Sequence, residues 1–339
     1  MLNATMLPEA NFRLPDTLAG ELATFTLLGL FCMFSYFEFN FPREQQPLKP
    51  LRLSYKTNIG LLIVNSTFMS LLSLSSLFAI AHHHSGQGLL RYVSSPALQA
   101  LLSFLALDLL LYFWHKACHQ FSSLWMFHRV HHNDLYLNTS TAFRIHFLEL
   151  LLTNLLKAAY IVVLGIDQLL VLINETLMTA FIMFHHSNIS FAGEKLLGRV
   201  FIVPYLHHTH HSTERNEHDR NYGAALSLWD RLFGTIAEVK PKTVGIKGRS
   251  PQNMISLIGF GFSQLKSPNT QTLPANLDEM IAEAAYYRAE KRNFKPGYEL
   301  IDWLEAKKEI IKLIYCEPPT RARRKPQRNN LFLNLIPRH

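Results

Sequence analysis

The chain has 339 residues, 48% of them hydrophobic and only 17% charged, where an ordinary soluble domain carries about 25% charged residues. Its formal net charge of +8 is accompanied by 17 histidines and 3 cysteines. This apolar content excludes intrinsic disorder, and three scattered cysteines (Cys32, Cys118 and Cys316) exclude a disulfide-stapled secreted module.

Charge is segregated along the chain. Residues 1–185 hold ten basic and ten acidic side chains, so the whole excess lies in 186–339. A neutral apolar front and a basic back read as membrane helices followed by a part facing anionic lipid. No zinc finger, basic region with heptads or RNA-binding signature occurs, so no nucleic-acid partner is expected.

A spanning helix needs about 20 mostly apolar residues. Leu18 to Phe37 is the first such stretch and Ile59 to Ala81 the second. Pro96 to Trp114 is the third, opening on a proline suited to a helix start. Leu148 to Leu164 and Leu169 to Phe184 follow as a pair broken only around Gly165-Ile166-Asp167, which predicts a tight helical hairpin. The first 17 residues carry only Arg13 before a long apolar stretch, a pattern unlike a cleaved signal. The loop at 38–58 carries Arg43, Lys49, Arg52 and Lys56, whereas 82–95 carries Arg91 alone. The positive-inside rule then puts 38–58, 115–147 and 186–339 in the cytoplasm, with the N-terminus outside. Lys157 falls inside the hairpin and is expected to snorkel.

Histidines cluster at one predicted depth. His115-Lys-Ala-Cys-His119 leaves the third helix, and His128-Arg-Val-His131-His132 follows. His186 ends the returning hairpin helix, and His207-His-Thr-His210-His211 comes about one short segment later. Positions i, i+3 and i+4 share one helix face, so HxxxH offers two imidazoles on one side and HxxHH offers three. A lone HxxxH is common on solvated helix faces. Two HxxHH boxes, each beside a further histidine group at the same membrane face, point instead to two metal ions with positions left for water, dioxygen or substrate. His82, His83 and His84 fall on the opposite side, His208 points elsewhere, and Cys118 and His185 are open.

Imidazole suits zinc, copper, iron and nickel alike. Nine histidines exceed one structural zinc site, and haem ligands would lie deeper in the membrane. Two iron ions binding dioxygen suit a lipid-facing site best, with zinc possible in a purified sample. The competing readings are a zinc-dependent membrane hydrolase and a non-catalytic metal-binding or transporting membrane protein.

From Ala100 to Val239 these motifs resemble the fatty acid hydroxylase superfamily, which includes sterol desaturases. His115 to His119 and His128 to His132 resemble its first two boxes, and Pro204 to Ser212 its last. Arg144-Ile-His146-Phe147-Leu-Glu149 is similar to its Arg-x-His-Pro-x-Glu, with Phe147 in place of the proline. Phe184-His185-His186-Ser187-Asn188 resembles its Phe-x-His-small-Asn element, with His185 where glutamine is common. Asn221-Tyr222-Gly223 and Trp229 to Thr235 resemble its closing signature. The resemblance implies a non-haem dimetal oxygenase acting on a lipid at the cytoplasmic interface. It would consume dioxygen and two electrons from an external electron-transfer protein or reductase, giving hydroxylation or desaturation.

Asp108 lies two turns before His115 on the third helix. A carboxylate there costs about 2.5–3.5 kcal/mol on insertion scales and needs a partner. Orienting a ligand histidine is its expected role, and Glu175 invites the same reading before His186. Arg144, His146 and Glu149 are the other candidate catalytic residues, although Arg144 and Glu149 also read as an interfacial salt bridge. Trp229 and Asp230 are expected to fold the cytoplasmic cap.

Lys240 to Pro274 reads as a linker whose apolar patch, Met254 to Phe262, lies on the membrane. Asp278 to Ile314 shows two helical segments. Tyr286 to Ala289 and Gly297 to Ala306 resemble a small bacterial domain of unknown function, which implies a bacterial cell membrane. Arg321 to Arg328 forms a basic tail drawn to anionic lipid. The expected fold is all-α, a multi-pass membrane helical bundle with a cytoplasmic histidine-rich dimetal cap. Its expected parts are N-terminal membrane helices (1–95), a catalytic domain (96–239), a linker (240–277), a helix–turn–helix domain (278–314) and the tail (315–339).

Overall fold

The computed structural model describes residues 16–71, 77–248, 250–263 and 277–315. All regular structure among them is helical: α1 (Asp16–Asn40), α2 (Leu48–Leu71), α3 (Leu77–His84), α4 (Pro96–Gln120), α5 (Ser122–His132), α6 (Phe147–Leu164), α7 (Gln168–His186), α8 (Glu194–Leu197), α9 (Pro204–His210), α10 (Arg215–His218), α11 (Leu228–Leu232), α12 (Met254–Phe262), α13 (Leu277–Lys291) and α14 (Glu299–Tyr315). The chain divides into two compact units at 264/265.

Four helices are long and apolar enough to cross a membrane: Leu18–Asn40, Pro96–Gln120, Phe147–Leu164 and Gln168–His186. With large side chains such as Phe25 (70% exposed) and Leu22 (59%) bare along α1, they make this a membrane protein, since water would not tolerate so long an apolar surface. Local sequence accounts for their ends. Ser95 caps α4 by accepting from Leu98 N, with Pro96 in the first turn. The break between α6 and α7 is a glycine C-cap, Gly165 at φ +68°, followed by Asp167 accepting from Leu170 N. The predicted hairpin is therefore built by two caps in three residues. Gly165 also receives the 84–92 loop: Gly86 N donates to its carbonyl at 2.9 Å, and a Cβ on Gly88 would meet Leu164 C at 2.2 Å.

At the other end of the bundle, Arg43 N donates to Asn188 O at 2.8 Å, joining the end of α1 to the end of α7. The carboxylate of Glu38 reinforces that joint, accepting from Asn188 N at 3.1 Å and Thr139 N at 3.0 Å. The histidines of α4 and α7 lie at this end.

The second predicted span differs. α2 starts at Leu48, not Ile59, and residues 72–76 of the predicted segment lie outside the described residues. The earlier start follows from a buried stripe, Leu51, Ser54, Asn58, Leu61 and Asn65, at helical spacing. Three of those five residues are polar because the stripe faces protein. Ser54 Oγ and Asn58 Nδ2 donate to Asp134 at 2.8 and 3.0 Å.

The expected linker is in large part a strap. Gly245 N donates to His211 O at 2.9 Å, and α12 packs Leu257 against Leu61 and Val130. Residues 264–276 lie outside the described residues. In the second unit, α13 and α14 pair through buried Ile281 and Ala306. Arg292 is ion-paired with Asp302, and Arg288 lies 2.5 Å from Glu305. The basic tail at 321–328 lies outside the described residues.

Candidate metal centre

Nine histidines from α4, α5, α7 and the α9 region converge as two groups. The nitrogens of His115, His119, His128, His132 and His210 lie within 4.8 Å of one another, and those of His131, His186, His207 and His211 form a second such group. Each HxxHH box is divided between them. In the α5 box, His128 and His132 (i, i+4) serve the first group and His131 the second. In the α9 box the roles reverse: His207 and His211 serve the second group and His210 the first. Helical spacing sets which histidines travel together: within the shared face i and i+4 lie only about 40° apart, whereas i+3 and i+4 lie about 100° apart.

The ring nitrogens face inward. Nε2–Nε2 separations are 3.1 Å for His115–His128, 3.1 Å for His119–His132, 3.0 Å for His186–His131, 2.9 Å for His207–His186 and 3.1 Å for His211–His207. The opposite nitrogen of six rings meets a carbonyl or carboxyl oxygen. His115 Nδ1 lies 2.9 Å from Tyr222 O, His186 Nδ1 2.7 Å from Ile182 O and His210 Nδ1 2.6 Å from Arg220 O. His131 Nδ1 lies 3.3 Å from Arg144 O, His128 Nδ1 2.7 Å from Glu149 Oε1 and His119 Nδ1 3.2 Å from Asp219 Oδ1. Beside the four carbonyls, and beside the two carboxyl groups when ionised, the Nδ1 atom carries the proton, leaving Nε2 with its lone pair.

Protonation cannot relieve the resulting crowding. Burial, then the neighbouring rings and charges, pushes His128 and His131 down to about 3 from the ordinary 6.5, and holds His132, His207, His210 and His211 well below it. In His115–His128 and His131–His186 both rings have an Nδ1 partner, and their neutral lone pairs, converging at about 3 Å, repel one another unless a cation lies between them. The donor sets fit one metal ion each, with partners on Nδ1 that fix the orientation of six of the nine rings.

An apolar slot of about 130 Å³ reaches both groups. It is lined by Leu111, Trp114 and Cys118 of α4, Ile145, Thr153 of α6 and Ile182 of α7, with His115, His128, His131, His186 and His207 at its floor. Glu149 borders it, and its Oε2 has no hydrogen-bond partner among the described residues. Cys118 lies with His128 and Glu149 in a third potential ligand group. His185 lines the slot with its ring 4.0 Å from that of His207. His208 is buried and borders a separate charged cleft of about 1090 Å³ between Arg43, Glu194 and Lys240.

Several expected partners are corrected. Asp108 orients no histidine. It is fully buried and accepts from Ala225 N at 2.8 Å, Leu226 N at 3.1 Å and Trp229 Nε1 at 2.8 Å. Seven residues of helix put it about 10 Å below His115, level with the closing loop. Arg144 and Glu149 form no salt bridge. The Arg144 guanidinium donates to Asn58 Oδ1 and Gln252 Oε1, both at 3.0 Å, and lies 3.9 Å from Asp134, its ionic partner. His146 caps α6 through Leu148 N at 3.2 Å and meets Ile258 O of α12 at 3.2 Å, apart from both metal groups. Glu175 lies 2.7 Å from Lys157, so the hairpin lysine is paired within the bundle. Asp230 folds the cap as expected, accepting from Tyr222 N and Gly223 N at 2.8 Å.

The sequence reading missed Asp219, His218 and Trp125 around the first group. His218 and Asp219 stand just ahead of Asn221-Tyr222-Gly223, and that adjacency was the available signal.

Comparison with known proteins covers this region. The fatty acid hydroxylase family matches residues 100–235, and a family of unknown function, DUF2934, matches 276–311. The ornithine lipid hydroxylase OlsE of Rhizobium tropici is 31% identical over 172 residues, 50% of this chain and 51% of that protein. The alkylglycerol monooxygenase of Danio rerio is 29% identical over 143 residues, 42% of this chain and 31% of that protein, and the Homo sapiens enzyme is 28% identical over 142 residues with the same coverage. The match thus spans about half or less of each relative's length. No solved structure matches the chain significantly. The matched segment, residues 100–235, holds all nine converging histidines, so the similarity to the fatty acid hydroxylase family covers the whole candidate metal centre.

Proposed function

We propose that this protein is a non-haem di-iron oxygenase that hydroxylates or desaturates a membrane lipid. The observation that carries the reading is two sets of inward-facing Nε2 lone pairs at the floor of an apolar slot between spanning helices. His115, His119, His128, His132 and His210 would hold one ion, and His131, His186, His207 and His211 the other. Bound iron supplies reduction of dioxygen and oxidation of an unactivated C–H bond. The chain's own groups position and shield that chemistry. Glu149, Tyr222 O and Arg144 O fix three ligand rings through Nδ1, and the slot's side chains take an acyl or alkyl chain while excluding bulk water.

Hydroxylation balances as RH + O2 + two electrons + two protons giving ROH + H2O, so an external electron donor is required. The relatives' names concern an ornithine lipid and alkylglycerols, which favours a substrate with a long apolar chain. The Lys/Arg bias of the loops supports a cytoplasmic site and C-terminus in a bacterial cell membrane, with anionic lipids beside the basic tail.

Metal analysis of the purified protein, with lipid mass spectrometry of cells carrying it, tests the reading. The expected result is iron with a dioxygen-dependent product, heavier by one oxygen for hydroxylation or lighter by two hydrogens for desaturation. His131→Ala and His210→Ala, one from each group, should abolish the product and lower bound metal. Zinc with anaerobic turnover would replace the oxygenase with a hydrolase.

A further inference from the structure

The slot brings substrate to the centre between spanning helices, and the two electrons must reach it by another way. Trp125 lies on the face of α5 that carries His128 and His132, at i+3 and i+7. Its ring centroid is 5.1 Å from that of His119 and 5.3 Å from that of His132, two members of the first group. On its outer side it stacks on His218 at 5.4 Å with planes 12° apart. The His218 side chain is 17% exposed, and Asp219 beside it 32%. Asp219 Oδ1 holds the outer and inner rings together, lying 3.4 Å from His218 Nε2 and 3.2 Å from His119 Nδ1. Inward, His132 stacks on His211 of the second group at 4.4 Å and 19°. His218 also meets the first group directly, its ring centroid 5.7 Å from that of His119 and 6.0 Å from that of His132. Contacting π-systems thus run from the solvent-reached His218, both directly and through Trp125, to the two groups, from a side that lines no part of the slot.

A competing aromatic chain leaves through Tyr222, Tyr112 and Phe233. It needs one more ring than the Trp125 path, and its middle ring, Tyr112, is fully buried. Tunnelling falls steeply with every added gap, so this longer chain contributes less than the route through His218.

We propose that the His218–Trp125 pair is the path by which a one-electron carrier in the aqueous phase reduces the metal centre, His218 being the entry and Trp125 widening its contact with the first group, both ending each transfer chemically unchanged. Two such transfers supply the two electrons of the balance above. This rests on the oxygenase reading.

The test is stopped-flow reduction of the full-length, metal-loaded protein by a plant-type ferredoxin with its reductase and NADPH, followed by metal analysis and thermal melting. His218→Leu, which removes the stack and the direct contacts together, should slow reduction at least about tenfold, equivalent to about 1.4 kcal/mol in the barrier, and Trp125→Leu, which leaves His218 against His119 and His132, should slow it by a smaller factor, with metal content unchanged in both. Trp125→Phe and His218→Phe, which keep a π-system, should recover most of the rate. Phe233→Leu, on the competing chain, should leave it unchanged. Should Trp125→Leu lose metal, His218→Leu decides, because it removes only the outer ring. Wild-type rates in the fully loaded leucine variants, or slowing by Phe233→Leu alone, would overturn the relay while leaving the oxygenase intact. A wild-type protein without redox-active metal would overturn both.

Discussion

His128 Nδ1 lies 2.7 Å from Glu149 Oε1, and that contact ties a metal-facing histidine on an interfacial helix to a carboxylate in the first turn of a spanning helix. When ionised this carboxylate accepts only, which keeps the His128 proton on Nδ1 and turns its Nε2 lone pair toward His115. Glu149→Leu should weaken metal binding at the first group by about 10–100-fold, the usual cost of losing an outer partner. Glu149→Gln, which can still offer an oxygen, should recover part of it. Titration of the metal-stripped variants checks this, and equal affinity in Glu149→Leu would show that His128 is oriented by packing alone.

Asp108 acts on stability. Its carboxylate satisfies two backbone N–H groups and the Trp229 indole in a buried site. Asp108→Leu would strand those donors at about 1–3 kcal/mol each before relaxation, so folded yield should drop sharply. The protein that does fold should keep its full complement of metal. Purification yield and metal per folded chain separate the two effects, and normal yield with lost metal would return Asp108 to the centre.

Arg129 fastens the strap. Its buried guanidinium donates to Phe260 O at 2.6 Å and Ser263 Oγ at 2.9 Å and lies 4.2 Å from the Phe260 ring centre. Arg129→Met should release α12 at a cost of about 1.5–3 kcal/mol per charged hydrogen bond lost. Hydrogen exchange at the α12 amides should accelerate while the α7 amides keep their protection. Uniform acceleration would mean global destabilisation instead.

Acid should loosen the metal-free protein. Burial holds His128 and His131 down to about 3, whereas in the unfolded chain they take up protons near 6.5. The unfolded state therefore binds more protons between these values, so stability is full above about 6.5 and is lost as pH falls toward 3. Thermal midpoints of the metal-stripped protein should decline through that window. Bound metal should be released in the same direction, since protons compete for Nε2. A flat profile would indicate rings already charged in the fold.

What the sequence by itself determined is local. Apolar run length marked α1, α4, α6 and α7, because a helix of fixed rise must match a bilayer of fixed thickness. The three residues Gly165-Ile166-Asp167 specified the hairpin, since a left-handed cap and a side-chain cap need no distant partner. The i, i+3, i+4 spacing of the histidines announced donors on shared faces. Only the tertiary structure decided how the boxes divide between two groups, because that depends on how α5 and α9 are rotated toward each other. It likewise gave Asp108 to Trp229 and Arg144 to Asn58 and Gln252, partners 121, 86 and 108 residues away. It also turned the polar face of α2 inward to Asp134 and made a strap of the expected linker. A buried polar group must find a partner, but the chain alone does not say which one, since any segment the fold brings within hydrogen-bond reach satisfies it equally well.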